Sequence, residues 1–268
     1  MTYRLTLRRP PPLRLDMRAL QPARAAALTA AELGRLELPS GCGTLALAEV
    51  FDIAPAGTEA LVVEGDLERL DFLGAGMEEG TLELHGTVGD ALGLGLRGGA
   101  IRLDGSARDL AGCAMSGGAI EVSGDVRDLA ASALPGDLDG MRGGRFVIHG
   151  DAGARLGDRM RRGTLVVHGD VGEFAASRLV AGTVALGGRC GAHLGYGMRR
   201  GTIVFGGAAP EPGPTFVPLD SDIGVFWQLL ARELEGLGGA FAGLARRRVE
   251  RLAGDLSVRG RGELLVPK

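Results

Sequence analysis

A glycine recurs through this chain at positions 65, 86, 105, 124, 150, 169, 188 and 207, each time closing nearly the same phrase. Thr164-Leu-Val-Val-His-Gly169 repeats Arg145-Phe-Val-Ile-His-Gly150 and Thr81-Leu-Glu-Leu-His-Gly86, with Ala100-Ile-Arg-Leu-Asp-Gly105 and Ala119-Ile-Glu-Val-Ser-Gly124 between them. The spacings are 21, 19, 19, 26, 19, 19 and 19 residues. A period this regular describes one structural unit stacked on itself, and it constrains the fold more than any local motif does.

Each unit opens with apolar residues two apart, such as Leu82 and Leu84 or Ile101 and Leu103, the period of a half-buried strand. A turn-forming polar residue follows the glycine: Asp66, Thr87, Ser106, Asp125, Asp151 or Asp170. The unit then reaches Met-x-x-Gly or Leu-x-x-Gly, from Met77-Gly80 to Met198-Gly201, and the next strand starts at once. Nineteen residues are too few for a helix, a strand and two connections. The spacing predicts an all-β solenoid, a parallel β-helix of seven to eight coils on the order of 35 Å long. Its glycines occupy corners, and its methionines point inward as core, where a flexible side chain fills gaps between coils. The 26-residue interval adds Leu134-Pro-Gly-Asp-Leu-Asp-Gly140, turn chemistry that predicts a protruding loop.

Both ends of such a stack expose strand edges and need covers. Residues 1–55 read as an N-terminal cap: a strand at Tyr3–Leu7, a proline run, a helical stretch over Ala23–Leu33 and Gly41-Cys-Gly43. Residues 56–207 are the repeat region. Residues 208–268 begin with Ala208-Ala-Pro-Glu-Pro-Gly-Pro214. Asp220 or Asp222 then caps a helix whose apolar stripe is Leu230, Leu234, Leu237, Phe241 and Leu244, bent at Gly236 or Gly238-Gly239. A strand-like tail from Gly254 returns to the stack. The whole reads as one cooperative domain.

Composition narrows the function. A net charge of −3 gives no reason to expect nucleic acid, and no apolar run approaches a membrane span. The N-terminus lacks the apolar core of a secretory signal. Cys42, Cys113 and Cys190 share no metal or redox spacing, so a reducing cytoplasm is expected. The only lysine is Lys268, which excludes Schiff-base chemistry in the interior.

Several motifs imitate active sites. Gly93-Leu-Gly-Leu-Arg-Gly98 satisfies the dinucleotide fingerprint, yet a new coil begins at Ala100 where that fold needs a helix. His85, His149 and His168 fall in one column, which Glu64, Asp104 and Ser123 share, so it reads as a polar corner and only secondarily as a metal site. His193 stands alone. No Ser–His–acid trio or close carboxylate pair appears, so the expected catalytic and metal-ligating sets on this chain are both empty. Arg142, Arg161, Arg162, Arg199 and Arg200 follow the methionine column and predict a basic edge for an acidic partner or polyanion.

The units 157–172 and 195–207 (Gly-Tyr-Gly-Met-Arg-Arg-Gly-Thr-Ile-Val-Phe-Gly-Gly) resemble the GXGXG repeat domain of the glutamate synthase large subunit and of the C subunit of formylmethanofuran dehydrogenase. With both flanks, including Phe226-Trp227 and Gly262-Glu-Leu-Leu-Val266, the likeness is to that C subunit. The resemblance implies a right-handed β-helix without an active site, held in a hetero-oligomer with catalytic chains. In the bacterial formyltransferase/hydrolase complex these are a formyltransferase, an amidohydrolase-like chain that holds the metal and a molybdoenzyme-related chain. The formyl group passes from tetrahydromethanopterin to a methanofuran-type carrier with a glutamate-rich tail, and is hydrolysed to formate. The arginine-rich, asparagine-free composition favours that bacterial complex over the archaeal tungsten or molybdenum dehydrogenase. Competing readings are a glutamate-synthase module and a left-handed β-helix acyltransferase or carbonic anhydrase. Coils of 19 residues rather than 18 oppose the last.

Overall fold

The computed structural model describes residues 2–41, 43–220 and 223–268. Their main feature is a 13-stranded sheet, parallel through its centre. Consecutive repeats pair in register: Leu82 with Ile101, Ile101 with Ile120, Phe146 with Leu165, Leu165 with Val184 and Val184 with Ile203. A second line of parallel bridges runs from Leu67 through Val88, Ala107, Val126, Ala152 and Val171 to Cys190. The repeats therefore stack on one another along two separate lines.

Alternate residues at one corner of each repeat adopt left-handed backbone. Phe72, Gly74 and Gly76 have φ of 62°, 67° and 68°, and Ala91, Gly93 and Gly95 have 62°, 61° and 63°. Glycine meets that demand without strain, which accounts for the spacing of glycines two apart. It also disposes of the fingerprint at 93–98, since no helix follows and the strand Ala100–Asp104 does. The glycine before each strand has a further constraint. A Cβ on Gly163 (φ +99°) would lie 2.7 Å from the Gly144 carbonyl oxygen and 2.7 Å from Met141 Cε. Met77, Leu96, Met115, Met141, Met160, Leu179 and Met198 are all buried, as the column predicts.

The alternating pattern holds only for the early repeats. Glu83, Arg102 and Glu121 face solvent, but their successors Val147, Val166, Ala185 and Val204 are buried. These later strands carry apolar residues on both faces, a sign of burial on both sides. The helix Gly224–Glu235 covers them, packing Trp227, Leu230, Ala231 and Leu234 with Phe241 and Leu244 over this outer face.

The N-terminal segment forms the expected strand Tyr3–Leu7, parallel to Leu61–Glu64. The helical stretch is two short helices, Pro22–Ala27 and Ala30–Gly34, divided where Thr29 and Glu32 form a capping box. Leu15–Asp16 lies parallel to Leu70–Asp71. Gly41 lies in the turn between Glu37–Ser40 and Gly43–Ala46, with Cys42 outside the described residues. At the other end, the N-cap is Ile223 rather than an aspartate, and Ser221 and Asp222 are also outside the described residues. The helix ends before Gly236, and Phe241 and Leu244 sit on separate 3₁₀ turns. The tail returns as Gly262–Pro267, parallel to Thr202–Phe205. Among the described residues no helix is long and apolar enough to cross a membrane.

Candidate functional site

Four arginines converge on a groove of about 500 Å³. Its walls are Arg159, Arg161, Arg178 and Arg199, with Leu138, Val180, Tyr196 and Val258 supplying apolar surface. Successive repeats bring the arginines together: Arg161 and Arg199 follow the buried methionines Met160 and Met198, with Val180 at the same place in the repeat between. The insertion loop contributes Leu138, 73% exposed at its tip.

The arginines are not equivalent. Arg178 makes a two-pronged contact with Asp158, Nε to Oδ1 at 2.9 Å and Nη2 to Oδ2, and Ser177 Oγ donates to Asp158 Oδ1 at 2.6 Å. The Asp158 side chain is only 7% exposed, so Arg178 compensates a buried charge. Arg161 pairs with Asp139 of the insertion loop, and Arg159 Nη1 donates to the Asp137 carbonyl at 3.4 Å. Both hold that loop in place. Arg199 has no ion pair among the described residues and is exposed, which leaves its guanidinium available to a ligand.

The sequence-predicted edge is therefore only partly assembled. Arg161 and Arg199 share the groove. Arg142 lies across the 134–140 loop, in a separate depression with Asp137, Leu138 and Asp139, because the loop rises between the two repeats. Arg162 and Arg200 stand one residue further along the chain and do not line the groove. Arg159 and Arg178 were not expected. A signal existed: each replaces glycine just before the buried Met or Leu, at a corner where Gly76, Gly95 and Gly197 stand in other repeats. Their φ values of 58° and 52° are strained for a side-chain-bearing residue, of order 1 kcal/mol or more each.

The histidine column offers less. His149 and His168 stack at 5.0 Å between centroids, 11° from parallel. His149 Nε2 lies 2.9 Å from Glu121 Oε1. His168 meets Phe241 edge-on at 5.3 Å, and burial, then the neighbouring His149, hold its pKa below the ordinary value. His85 Nδ1 lies 3.7 Å from Asp104 Oδ2 in the next repeat. Among the described residues no three His, Cys, Asp or Glu side chains converge as metal ligands. His193 stacks on Phe174 at 4.6 Å. Burial pushes the thiols of Cys113 and Cys190 up to about 11, so neither is a ready thiolate.

Stacked 19-residue repeats with this glycine pattern define a class, and comparison agrees. The family model described as "GXGXG motif" matches residues 65–210, and the chain belongs to that family. Over 85 residues it is 42% identical to the C subunit of the formyltransferase/hydrolase complex Fhc of Methylorubrum extorquens, a stretch covering 32% of each protein. The alignment thus spans about a third of that curated relative's length. The X-ray crystal structure of the formyltransferase/hydrolase complex (FhcABCD) from Methylorubrum extorquens in complex with methylofuran contains a chain 41% identical to this one. The two superpose with a TM-score of 0.91 over 99% of each chain.

Proposed function

We propose that this chain is the non-catalytic C subunit of a formyltransferase/hydrolase complex. That complex moves a formyl group from tetrahydromethanopterin to a methanofuran-type carrier and hydrolyses it to formate. The observation that carries the reading is the superposition over 99% of both chains at 41% identity, which takes in the caps as well as the shared repeats. The partners are a formyltransferase, an amidohydrolase-like chain holding the metal and a molybdoenzyme-related chain, in the cytoplasm. This chain supplies the frame between them: a right-handed β-helix of seven to eight coils, with 1–55 capping one end and the tail of 208–268 closing the other while its helix covers the outer face. Two parallel ladders offset by 19 residues support that geometry.

The arginine groove fits the carrier's chemistry. A glutamate-rich tail is met by guanidinium groups, which bind carboxylates in paired hydrogen bonds. Arg199→Glu tests the assignment, because Arg199 has no ion pair to lose among the described residues. In the assembled complex the variant is expected to retain carrier at least about tenfold less tightly, equivalent to about 1.4 kcal/mol, with the melting temperature unchanged. Unaltered carrier retention contradicts the assignment of this groove.

A further inference from the structure

The last complete repeat is closed on two of its three sides. On the strand side, Thr202, Ile203 and Val204 pair with Glu263, Leu264 and Leu265 of the tail. On the methionine side, Gly197 donates to Asp255 Oδ2 at 2.9 Å and Arg261 donates to the Arg199 carbonyl at 2.7 Å. The third side, residues 189–195, is different. In the repeat beneath it, Val171 and Phe174 donate upward to Arg189 and Ala192, while the carbonyls of Val171 and Ala175 accept from Gly191 and Gly195. The equivalent groups one level up are the N–H and carbonyl of Cys190, the N–H of His193 and the carbonyl of Leu194. Among the described residues none of the four has a hydrogen-bond partner.

Above them is a cleft of about 310 Å³ floored by Cys190, Gly191, His193 and Leu194, with Phe216 and Leu264 as apolar walls. Its roof is Pro210-Glu-Pro-Gly213. Proline has no N–H to give, and this roof makes no hydrogen bond to the open edge. Such an edge is a template for another strand.

Side chains specify what fits. In the column Asp125, Asp151, Asp170, each carboxylate accepts the backbone N–H one repeat up, at 2.8, 2.7 and 2.7 Å, the last from Arg189. Arg189 ends this column: its Nε and Nη2 donate back to Asp170 Oδ2 at 2.9 and 2.7 Å, and its side chain is still 90% exposed, so the next rung meets a cation there and takes an acid more readily than a second donor. The following residue lies over Cys190, at the end of a ladder of Val and Ala, beside Leu194.

We propose that this side takes an extended segment of another protein chain, added in parallel as one more rung, with an acidic residue over Arg189 and a small apolar residue over Cys190. A second copy of this chain does not supply it by end-to-end stacking. The opposite end is covered, with Arg4–Thr6 on Val62–Glu64 and Leu15–Asp16 on Leu70–Asp71. The inference rests on the reading that the chain works within a hetero-oligomer, but its test uses no partner protein and can fail separately.

The probe is the chain's own rung, His168-Gly-Asp-Val-Gly-Glu-Phe-Ala175, appended after Lys268 of the full chain. A Gly/Ser linker of about 20 residues has a reach of about 25 Å and gives a millimolar effective concentration. A second tether replaces its acidic–apolar pair by Arg-Asp. Backbone amide exchange at Cys190 and His193 is then measured by NMR. The matched tether is expected to slow both amides at least about tenfold, and the mismatched one to leave them at the rate of the unmodified chain. Unchanged exchange with the matched tether, or equal slowing by both, overturns the proposal.

Discussion

Gly163→Val is expected to unfold this protein or cost it at least about 4 kcal/mol, well beyond an ordinary substitution. Left-handed strain at φ +99° accounts for about 1–2 kcal/mol of that. The remainder comes from contact. The added Cβ lies 2.7 Å from the Gly144 carbonyl oxygen, and the backbone has little room to withdraw, because the neighbouring Arg145 donates to Gly118 in the repeat below. Gly95→Ala is the internal control: φ is +63°, but nothing lies within 4 Å of the new methyl group. It is expected to cost about 1–2 kcal/mol from strain alone. Urea midpoints of the two variants decide the matter. A loss at position 163 no larger than at 95 contradicts the stacked-carbonyl explanation of the repeat glycines.

The second large effect is expected at Arg178. Its guanidinium is half in solvent, but the Asp158 carboxylate it holds is almost fully enclosed. Arg178→Leu leaves that carboxylate with the Ser177 hydroxyl as its remaining side-chain donor. Burying an unpaired charge is severe, and after allowance for the exposure of Arg178 the expected loss is about 2–3 kcal/mol. Replacing Asp158 by Asn in the same chain is expected to recover much of it, since the charge then disappears with its partner. Thermal unfolding of the two single variants and the double variant measures the coupling. Additive losses contradict it. The contrast with Arg199 matters: Arg178 supports the fold, while Arg199 has no ion pair among the described residues.

Much of the architecture was legible because stacking imposes identical demands at fixed intervals. Buried Met and Leu, corner glycines and the exposed 134–140 loop all follow from period and turn chemistry. The cover of the outer face was missed, although its signal lay in the middle residue of each strand, which changes from Glu83, Arg102 and Glu121 to Val147, Val166, Ala185 and Val204. The groove was half legible. Arginines following the methionines were visible as a column, but an insertion separates Arg142 from the rest. Arg159 and Arg178 enter through left-handed positions, marked in the sequence only by the glycine that other repeats carry there. The open rung at Cys190 depends on where a distant tail closes the stack, and no local pattern encodes that.

Whether this chain is a frame for catalytic partners is decided by native mass spectrometry of the tagged full chain purified from its own cells, with formate release from a formylated carrier assayed on the same fraction. The expected species is a hetero-oligomer containing formyltransferase and amidohydrolase-like chains that releases formate. A homo-oligomer free of such chains, or a complex with glutamate synthase catalytic chains, would contradict that role.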